Sequence, residues 1–363
     1  MHIKKIKINN YRNYNEAEIS FHEKMNILYG DNAQGKTNIL ESIYICATTK
    51  SHQGSKDKEI IKMGCDEAHV KMYIEKEGLE HYIDLHLKKN KPKGIAVNGI
   101  PIKRSAELMG IINIVLFSPE DLNIIKNGPS ERRRFIDMEL CQLSRIYLDN
   151  LYRYSKVLNQ RNHLLKQISY NESLKETLSV WDEQLIKYGT EIIKERKEFI
   201  EQINNISADI HKKLTGEKEF LNIQYEPNVD AEEFADKLYK SYNRDIYYQI
   251  THTGPHRDDI KFISNDMDLR TYGSQGQKRT AALSLKLSEI EIVKKKTGDI
   301  PVLLLDDVLS ELDRNRQNYL LESIDDVQTI ITCTGLEEFI NHSLDVNRIY
   351  KIENGNVTDI EMR

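Results

Sequence analysis

The segment Gly30-Asp31-Asn32-Ala33-Gln34-Gly35-Lys36-Thr37 fills every fixed position of the pattern G-x-x-x-x-G-K-[ST]. Its glycines let the loop wrap so that backbone N–H groups converge on phosphate oxygens, and a helix starting behind it adds the positive end of its dipole. In that chemistry Lys36 reaches the β- and γ-phosphates of a nucleotide and the Thr37 hydroxyl ligates Mg2+. Far downstream, the apolar run Val302-Leu303-Leu304-Leu305 ends in Asp306-Asp307. A buried strand ending in acids brings carboxylates to the C-terminal edge of a sheet, where ligands of open α/β folds collect. Asp306 then suits the Mg2+ shell, and Asp307 suits the orientation or deprotonation of an attacking water. Tyr272-Gly273-Ser274-Gln275-Gly276-Gln277-Lys278-Arg279 opens an apolar stretch from Thr280 to Lys294, which makes Ser274 an N-cap.

The elements around these groups follow from periodicity. Ile3, Ile6 and Ile8 between polar residues, then Met25 to Tyr29, read as two strands, with NYRNYNEAEISF as the connection between them. After the glycine loop, Ile39, Leu40, Ile43, Tyr44 and Ala47 have helical spacing, so the order is strand, glycine loop, helix. Residues 48 to 66 read as loop. Val70 to Ile102 alternates as a small antiparallel meander, with Asn98-Gly99 as a two-residue hairpin. Past Phe117 the chain reads as helical for about a hundred residues. Leu174, Leu178, Trp181, Leu185, Tyr188 and Ile192, resumed by Phe199, Ile203, Ile206, Ile210 and Leu214, have heptad spacing. Leu151 to Ile168 precedes them, which predicts an antiparallel helical hairpin inserted between two halves of another domain. Ile300 to Leu305, a helix from Leu309 to Ser323, and Gln328 to Cys333 give the strand, helix, strand order of a parallel sheet. The expected domains are a core of residues 1–116 with 300–363, and a helical arm and signature lobe of residues 117–299.

The chain has 363 residues, 39% of them hydrophobic, enough for two or three folded units. A net charge of -5 speaks against a generally basic nucleic-acid binder. Residues 1–116, however, hold 18 Lys and Arg against 14 Asp and Glu. The basic candidates for a phosphate backbone are Lys4, Lys5, Lys7, Lys88, Lys89, Lys91, Lys93, Lys103, Arg104, Arg132 to Arg134 and Arg257. Four scattered cysteines, Cys46, Cys65, Cys141 and Cys333, support neither zinc nor disulfides, and no run reaches the ~18 apolar residues of a membrane span. The expectation is a cytoplasmic protein with no membrane partner.

Taken together, these segments resemble a known family. YGSQGQKR is similar to the signature motif of ABC-type ATPases, and Ser310-Glu311-Leu312-Asp313 to their D-loop. NYRNY, GDNAQGKTN, Phe117-Ser118-Pro119-Glu120-Asp121-Leu122, Gly254-Pro255-His256-Arg257-Asp258-Asp259, YGSQGQKR and LLLDDVLSELD together resemble the RecF family of recombination-mediator ATPases along nearly the whole chain. The resemblance implies an α/β fold: an ABC-type, SMC head-like P-loop ATPase with a second, mainly helical lobe carrying a short antiparallel helical arm. It implies Mg·ATP as cofactor, with Arg12 and Asn13 joining residues 30–37 around the nucleotide. It further implies that Ser274, Gln275, Gly276 and Asp313 act on ATP held by the other copy of an ATP-dependent homodimer. Slow, DNA-stimulated hydrolysis, binding of single-stranded or gapped and possibly duplex DNA, RecR and RecO type mediators, recombinase loading at gaps, replication restart and SOS induction belong to the same picture. Asp307 stands where most of the superfamily carries Glu, and Thr332-Cys333-Thr334 replaces its switch histidine, with Thr334 as the expected polar substitute. The Gln loop of transporter subunits has no counterpart here. An SMC-type tether would need a coiled coil of hundreds of residues, and a P-loop kinase a lid arginine pattern.

Overall fold

Ile3, Ile6 and Ile8 are all buried on β1 (His2–Tyr11), although strict alternation would put Ile3 and Ile6 on opposite faces. A bulge between Ile3 and Lys5 shifts the register and turns both inward. The structure, a computed structural model, describes residues 1–335 and 346–360. The chain divides into two compact units, Met1–Asp121 with Lys286–Arg363, and Leu122–Leu285.

The first unit holds two six-stranded sheets. One is antiparallel, with β1 flanked by β2 (Tyr14–Ser20) and β4 (Glu67–Lys76), then β5 (Leu79–Lys88), β6 (Lys91–Val97) and β7 (Ile100–Pro101). Asn98 and Gly99 turn between β6 and β7 with φ of 52° and 79°, the left-handed pair that an Asn-Gly hairpin supplies. Strand β2 corrects the reading of NYRNYNEAEISF as a connection: only Ala17 and Ile19 alternate as buried apolar residues there, so pairing with β1 makes the strand. The other sheet runs β15-β14-β3-β13-β12-β8. Its strands β3 (Met25–Tyr29), β8 (Ile114–Phe117), β12 (Val302–Asp306), β13 (Thr329–Cys333) and β14 (Arg348–Glu353) are parallel, and β15 (Asn356–Ile360) is an antiparallel edge. Every residue of β12 and β13 is buried, as a central parallel strand requires. Helices α1 (Lys36–Thr48), α2 (Asp57–Ile60) and α11 (Arg314–Ser323) complete the unit. One core joins both sheets to α1 through Ile6, Val70, Leu28, Ile39, Leu304 and Ile330.

The second unit is mainly helical: α3 (Leu122–Lys126), α4 (Pro129–Leu143), α5 (Arg145–Ile168), α6 (Leu178–Leu214), α7 (Phe234–Lys240), α8 (Tyr242–Tyr248) and α9 (Leu269–Tyr272). Helix α10 (Gln275–Thr297) begins here and ends in the first unit. Helices α5 and α6 form the expected antiparallel hairpin across residues 169–177. Heptad spacing holds along α6 as far as Ile203, through buried Leu178, Asp182, Leu185, Gly189, Ile192, Arg196, Phe199 and Ile203, with Asp182 and Gly189 buried where the sequence spacing predicts Trp181 and Tyr188. Beyond it Ser207 and His211 are buried instead, and Ile206, Ile210 and Leu214 are only half-buried. The reason is what α6 packs on: besides α5 it covers β9 (Leu221–Glu226) of a small antiparallel sheet with β10 (Asp259–Ser264) and β11 (Met267–Asp268). That sheet is absent from the sequence reading. Charge replaces apolar knobs in the interface. Arg161, fully buried, bonds Asp182 at 2.6 Å, Asp245 at 2.7 Å and Thr251 at 2.8 Å.

Candidate active site

Strand β3 delivers the glycine loop to the C-terminal edge of the parallel sheet, and Gly35 caps α1 with φ 116°. A Cβ on Gly35 would lie 2.6 Å from Asn13 Nδ2 and 2.8 Å from the Tyr14 hydroxyl, so only glycine fits. A Cβ on Gly30 would lie 2.3 Å from the Ile352 carbonyl oxygen of β14. Lys36 is buried and its Nζ donates to the carbonyls of Gly30 at 2.6 Å and Asp31 at 2.8 Å. The ammonium therefore crosses the mouth of its own loop. Asp31, Asn32 and Ala33 form the exposed crest, and Ala33 takes a left-handed φ of 64°. Gln34 is tied down from the C-terminal hairpin: Asn354 N–H donates to its side-chain oxygen at 2.6 Å and Gly355 N–H to its carbonyl at 3.2 Å. That contact is missing from the sequence reading, although Asn354-Gly355 carries the same hairpin signature as Asn98-Gly99.

The acid pair meets the loop across the sheet. Thr37 Oγ1 donates to Asp306 Oδ1 at 2.8 Å, and Thr332 Oγ1 donates to the same oxygen at 2.8 Å. Burial raises the Asp306 carboxyl above its usual value, against those two hydrogen bonds. Two hard oxygens 2.8 Å apart fit adjacent positions of a Mg2+ shell, where bonds of 2.0–2.1 Å put cis ligands about 2.9 Å apart. Asp307 has a left-handed φ of 54°, and its N–H donates to Thr332 Oγ1 at 3.0 Å. The half-buried Asp307 carboxylate meets no hydrogen-bond donor among the described residues. Thr332, from β13, is thus the residue that touches both acids, whereas Thr334, expected in that place, is exposed. The ring of His52 stands edge-on to Tyr44 and is held below the usual histidine value by burial.

Arg12 and Asn13 form the turn between β1 and β2 and have different tasks. Asn13 Nδ2 donates to the Gln34 carbonyl at 2.9 Å, its Oδ1 accepts from Asn38 at 2.9 Å, and the Tyr14 hydroxyl donates to the Gly35 carbonyl at 3.0 Å. These bonds brace the loop from below. Arg12 instead grips Glu41 on α1 with two bonds, Nε at 2.8 Å and Nη2 at 2.7 Å. Glu41 is fully buried and also accepts from Tyr11 at 3.0 Å and from Ser51. Burial opposes its charge, but Arg12, Ser51 and Tyr11 together hold the carboxyl below its usual value. The Arg12 guanidinium is therefore committed to α1, a pairing between residues 29 apart that no local pattern shows.

In the second unit, Ser274 caps α10 reciprocally. Its hydroxyl accepts from Gln277 N–H at 3.2 Å, and Gln277 Oε1 accepts from Ser274 N–H at 2.9 Å. Gln275 is exposed and Gly276 half-buried in the first turn. Asp313, in the first unit, caps α11 by accepting from Arg316 N–H at 3.1 Å. GPHRDD is a packing hub of the second unit. Gly254 lies so close to Tyr154 that a Cβ would be 2.4 Å from its hydroxyl. His256 Nδ1 faces the Tyr154 hydroxyl at 2.7 Å and its Nε2 faces the Thr251 carbonyl at 3.0 Å. Asp258 accepts from Arg196 at 2.8 Å and from Asn228 N–H at 2.9 Å, and Asp259 takes both branches of Arg132. Arg132 is thereby removed from the basic candidates, being 2% exposed. Arg133 donates to the Asp258 carbonyl at 2.7 Å. Lys4, Lys5, Lys7 and Lys93 pair with Glu75, Glu18 and Asp57. Lys88, Lys91, Lys103, Arg104 and Arg257 have no acidic partner within salt-bridge distance among the described residues. No described helix is long and apolar enough to cross a membrane.

Comparison with known proteins agrees with this architecture. The family described as RecF/RecN/SMC N terminal domain matches residues 2–358. A protein of Lachnoclostridium phytofermentans named DNA replication and repair protein RecF is 62% identical over 98% of this chain and 99% of its own length. A solved structure described as the recombination mediator protein RecF with ATP, in the RecFOR pathway, superposes with a TM-score of 0.91 at 38% identity, covering 99% of both chains. An Smc head domain from Pyrococcus furiosus shares the fold alone, with a TM-score of 0.58 at 18% identity over 99% of this chain and 96% of that one. A P-loop and an acid pair on two strands of one parallel sheet, with β13 between them, joined by sequence likeness end to end, place the chain in the RecF family, with its ABC-type, SMC head-like fold.

Proposed function

We propose that this chain is an ATP-driven, DNA-binding switch of recombinational repair in the cytoplasm, with a weak DNA-stimulated ATPase activity. The observation that supports this reading most is the 2.8 Å contact of Thr37 with Asp306 beside the buried, loop-bound Lys36. In this reading residues 1–116 and 300–363 are the ATPase core, and residues 117–299 the arm and signature lobe. Loop N–H groups and Lys36 bind the triphosphate, Lys36 exchanging its two carbonyl acceptors for phosphate oxygens. Thr37 and Asp306 would hold Mg2+, which when bound neutralises charge developing on the phosphates. Asp307, its backbone pinned by Thr332, orients the attacking water or takes its proton. Its side chain is one methylene shorter than the superfamily's Glu, which suits slow hydrolysis. Ser274, Gln275, Gly276 and Asp313 engage ATP on a second copy, so ATP closes a homodimer. DNA is held through cations without acidic partners, Lys88, Lys91, Lys103, Arg104 and Arg257 among them. RecR and RecO type mediators then join it at single-strand gaps to load recombinase, with replication restart and SOS induction as consequences.

The test is ATPase rate with single-stranded, duplex and gapped DNA across a salt series, with sedimentation of wild type and Ser274→Arg with and without ATP. Stimulation that declines with salt, and loss of the ATP-dependent dimer in the variant, are expected. No stimulation and no salt dependence would sink the DNA switch; a variant that still dimerises on ATP would remove Ser274 from the partner's site.

A further inference from the structure

On the outward face of the antiparallel sheet, away from the glycine loop's parallel strands, two histidines and a glutamate converge. His69 on β4 and His86 on β5 are directly opposed across the ladder, and their rings stack with centroids 3.8 Å apart and planes 26° from parallel. Two parallel imidazoles on neighbouring strands can point a nitrogen each at one spot. Glu67 lies two residues before His69, hence on the same face, and its Oε2 is 2.9 Å from His86 Nε2. One ligand atom from each of the three residues lies within 4.8 Å of the others. Donors around a zinc ion with bonds of 2.0–2.1 Å stand about 3.3 Å apart, inside the 4.8 Å within which these three atoms lie.

We infer that Glu67, His69 and His86 form a site for a divalent transition cation of the zinc class, with a position left open to solvent. The donor set of two imidazoles and one carboxylate suits borderline cations over Mg2+, which prefers oxygen alone. The surroundings support it. The groups beside the cluster are Asn9, opposite His69 on β1, and Gly94, opposite His86 on β6, with Lys71, Asp84 and Lys88 further along the same two strands. Gly94 offers no side chain, so the approach over His86 stays clear. A bound ion would clip β4 to β5 at the end of the hairpin remote from its Glu77-Gly78 turn.

Untagged, nucleotide-free protein titrated with Co2+ should develop the visible absorption of a nitrogen- and oxygen-ligated ion at one equivalent, and one equivalent of Zn2+ should erase it. His69→Ala/His86→Ala should abolish the spectrum, His69→Gln alone should do the same, and Glu67→Gln should weaken affinity at least about tenfold, the lower range for disturbing a metal site. ATP binding should be unchanged in each folded variant. The inference is overturned if wild type gives no spectrum at millimolar Co2+, or if the spectrum survives in His69→Gln. Unchanged affinity in Glu67→Gln would overturn the carboxylate's place in the site.

Discussion

Replacing Glu41 by Gln tests whether the β1–β2 turn acts as the brace of the nucleotide loop. The amide keeps the shape of the side chain but removes the charge that receives two bonds from Arg12 and one each from Tyr11 and Ser51. Removing one member of a buried ion pair costs about 3–5 kcal/mol. Arg12 retains 20% exposure and the Ser55 hydroxyl as acceptor, so the cost falls at or just below the bottom of that range, about 2–3 kcal/mol. For a unit of about 200 residues, at ~2–4 °C per kcal/mol, the transition of the first unit should fall by about 4–12 °C in a thermal melt. Freed Arg12 also loosens Asn13, whose bond to the Gln34 carbonyl is worth about 0.5–1.5 kcal/mol. ATP affinity should therefore drop by roughly two- to tenfold. The pH dependence has a definite sign. The folded value of Glu41 is depressed, so its contribution is fully present above the ordinary carboxylate range and is lost as pH falls through the lower folded value. Wild type should thus lose its margin over Glu41→Gln in acid. A melt shifted by less than ~2 °C at pH 7, with ATP affinity unchanged, would refute the brace.

Other expectations follow from the same geometry. Gly35→Ala places a Cβ 2.6 Å from Asn13 Nδ2 at a φ of 116°, a strain of about 1–3 kcal/mol that should weaken ATP binding by tenfold or more, read by equilibrium titration. Asp245→Asn leaves buried Arg161 with one carboxylate and should destabilise the second unit by about 3 kcal/mol in denaturant, against under 1 for Asp149→Asn on the exposed surface. Ser274→Ala removes a cap worth ~1 kcal/mol and should speed amide exchange in the first turn of α10 about fivefold. Burial pushes His256 down to about 4, so the unfolded chain binds the extra proton between pH 6.5 and 4 and stability should fall through that window by up to about 3 kcal/mol. His256→Gln should flatten the dependence; an unchanged profile would place the acid sensitivity elsewhere.

The legible parts of this protein were those whose physics is local. G-x-x-x-x-G-K-T needs particular backbone angles within eight residues, Ser274 finds its capping partner three residues on, and Asn98-Gly99 turns by itself. The acid pair was legible because a fully buried strand has no polar positions until it ends. The parts that were not legible rest on partners far away in sequence. β2 has too little apolar alternation to declare itself and exists by pairing with β1. The heptad spacing along α6 holds only as far as Ile203; beyond it Ser207 and His211 are buried in place of Ile206 and Ile210, and β9 also packs on this helix. Arg132 stood among the basic candidates, with structural ion pairing to nearby Asp137 as the alternative, and is an internal strut on Asp259, 127 residues later.

The sequence by itself determined which chemistry is present: a phosphate loop, two carboxylates and a capped signature helix, each set by short-range sterics and hydrogen bonding. Tertiary structure decided which of these groups meet. Only the order β3-β13-β12 of the parallel sheet lays Thr37 against Asp306, 269 residues apart, and inserts Thr332 between the two acids. Strand order is a property of the whole core, because a strand is placed by what its two faces bury and by which neighbours complete its ladder. For the same reason the sequence could list the histidines of β4 and β5, but only the antiparallel register stacked His69 on His86.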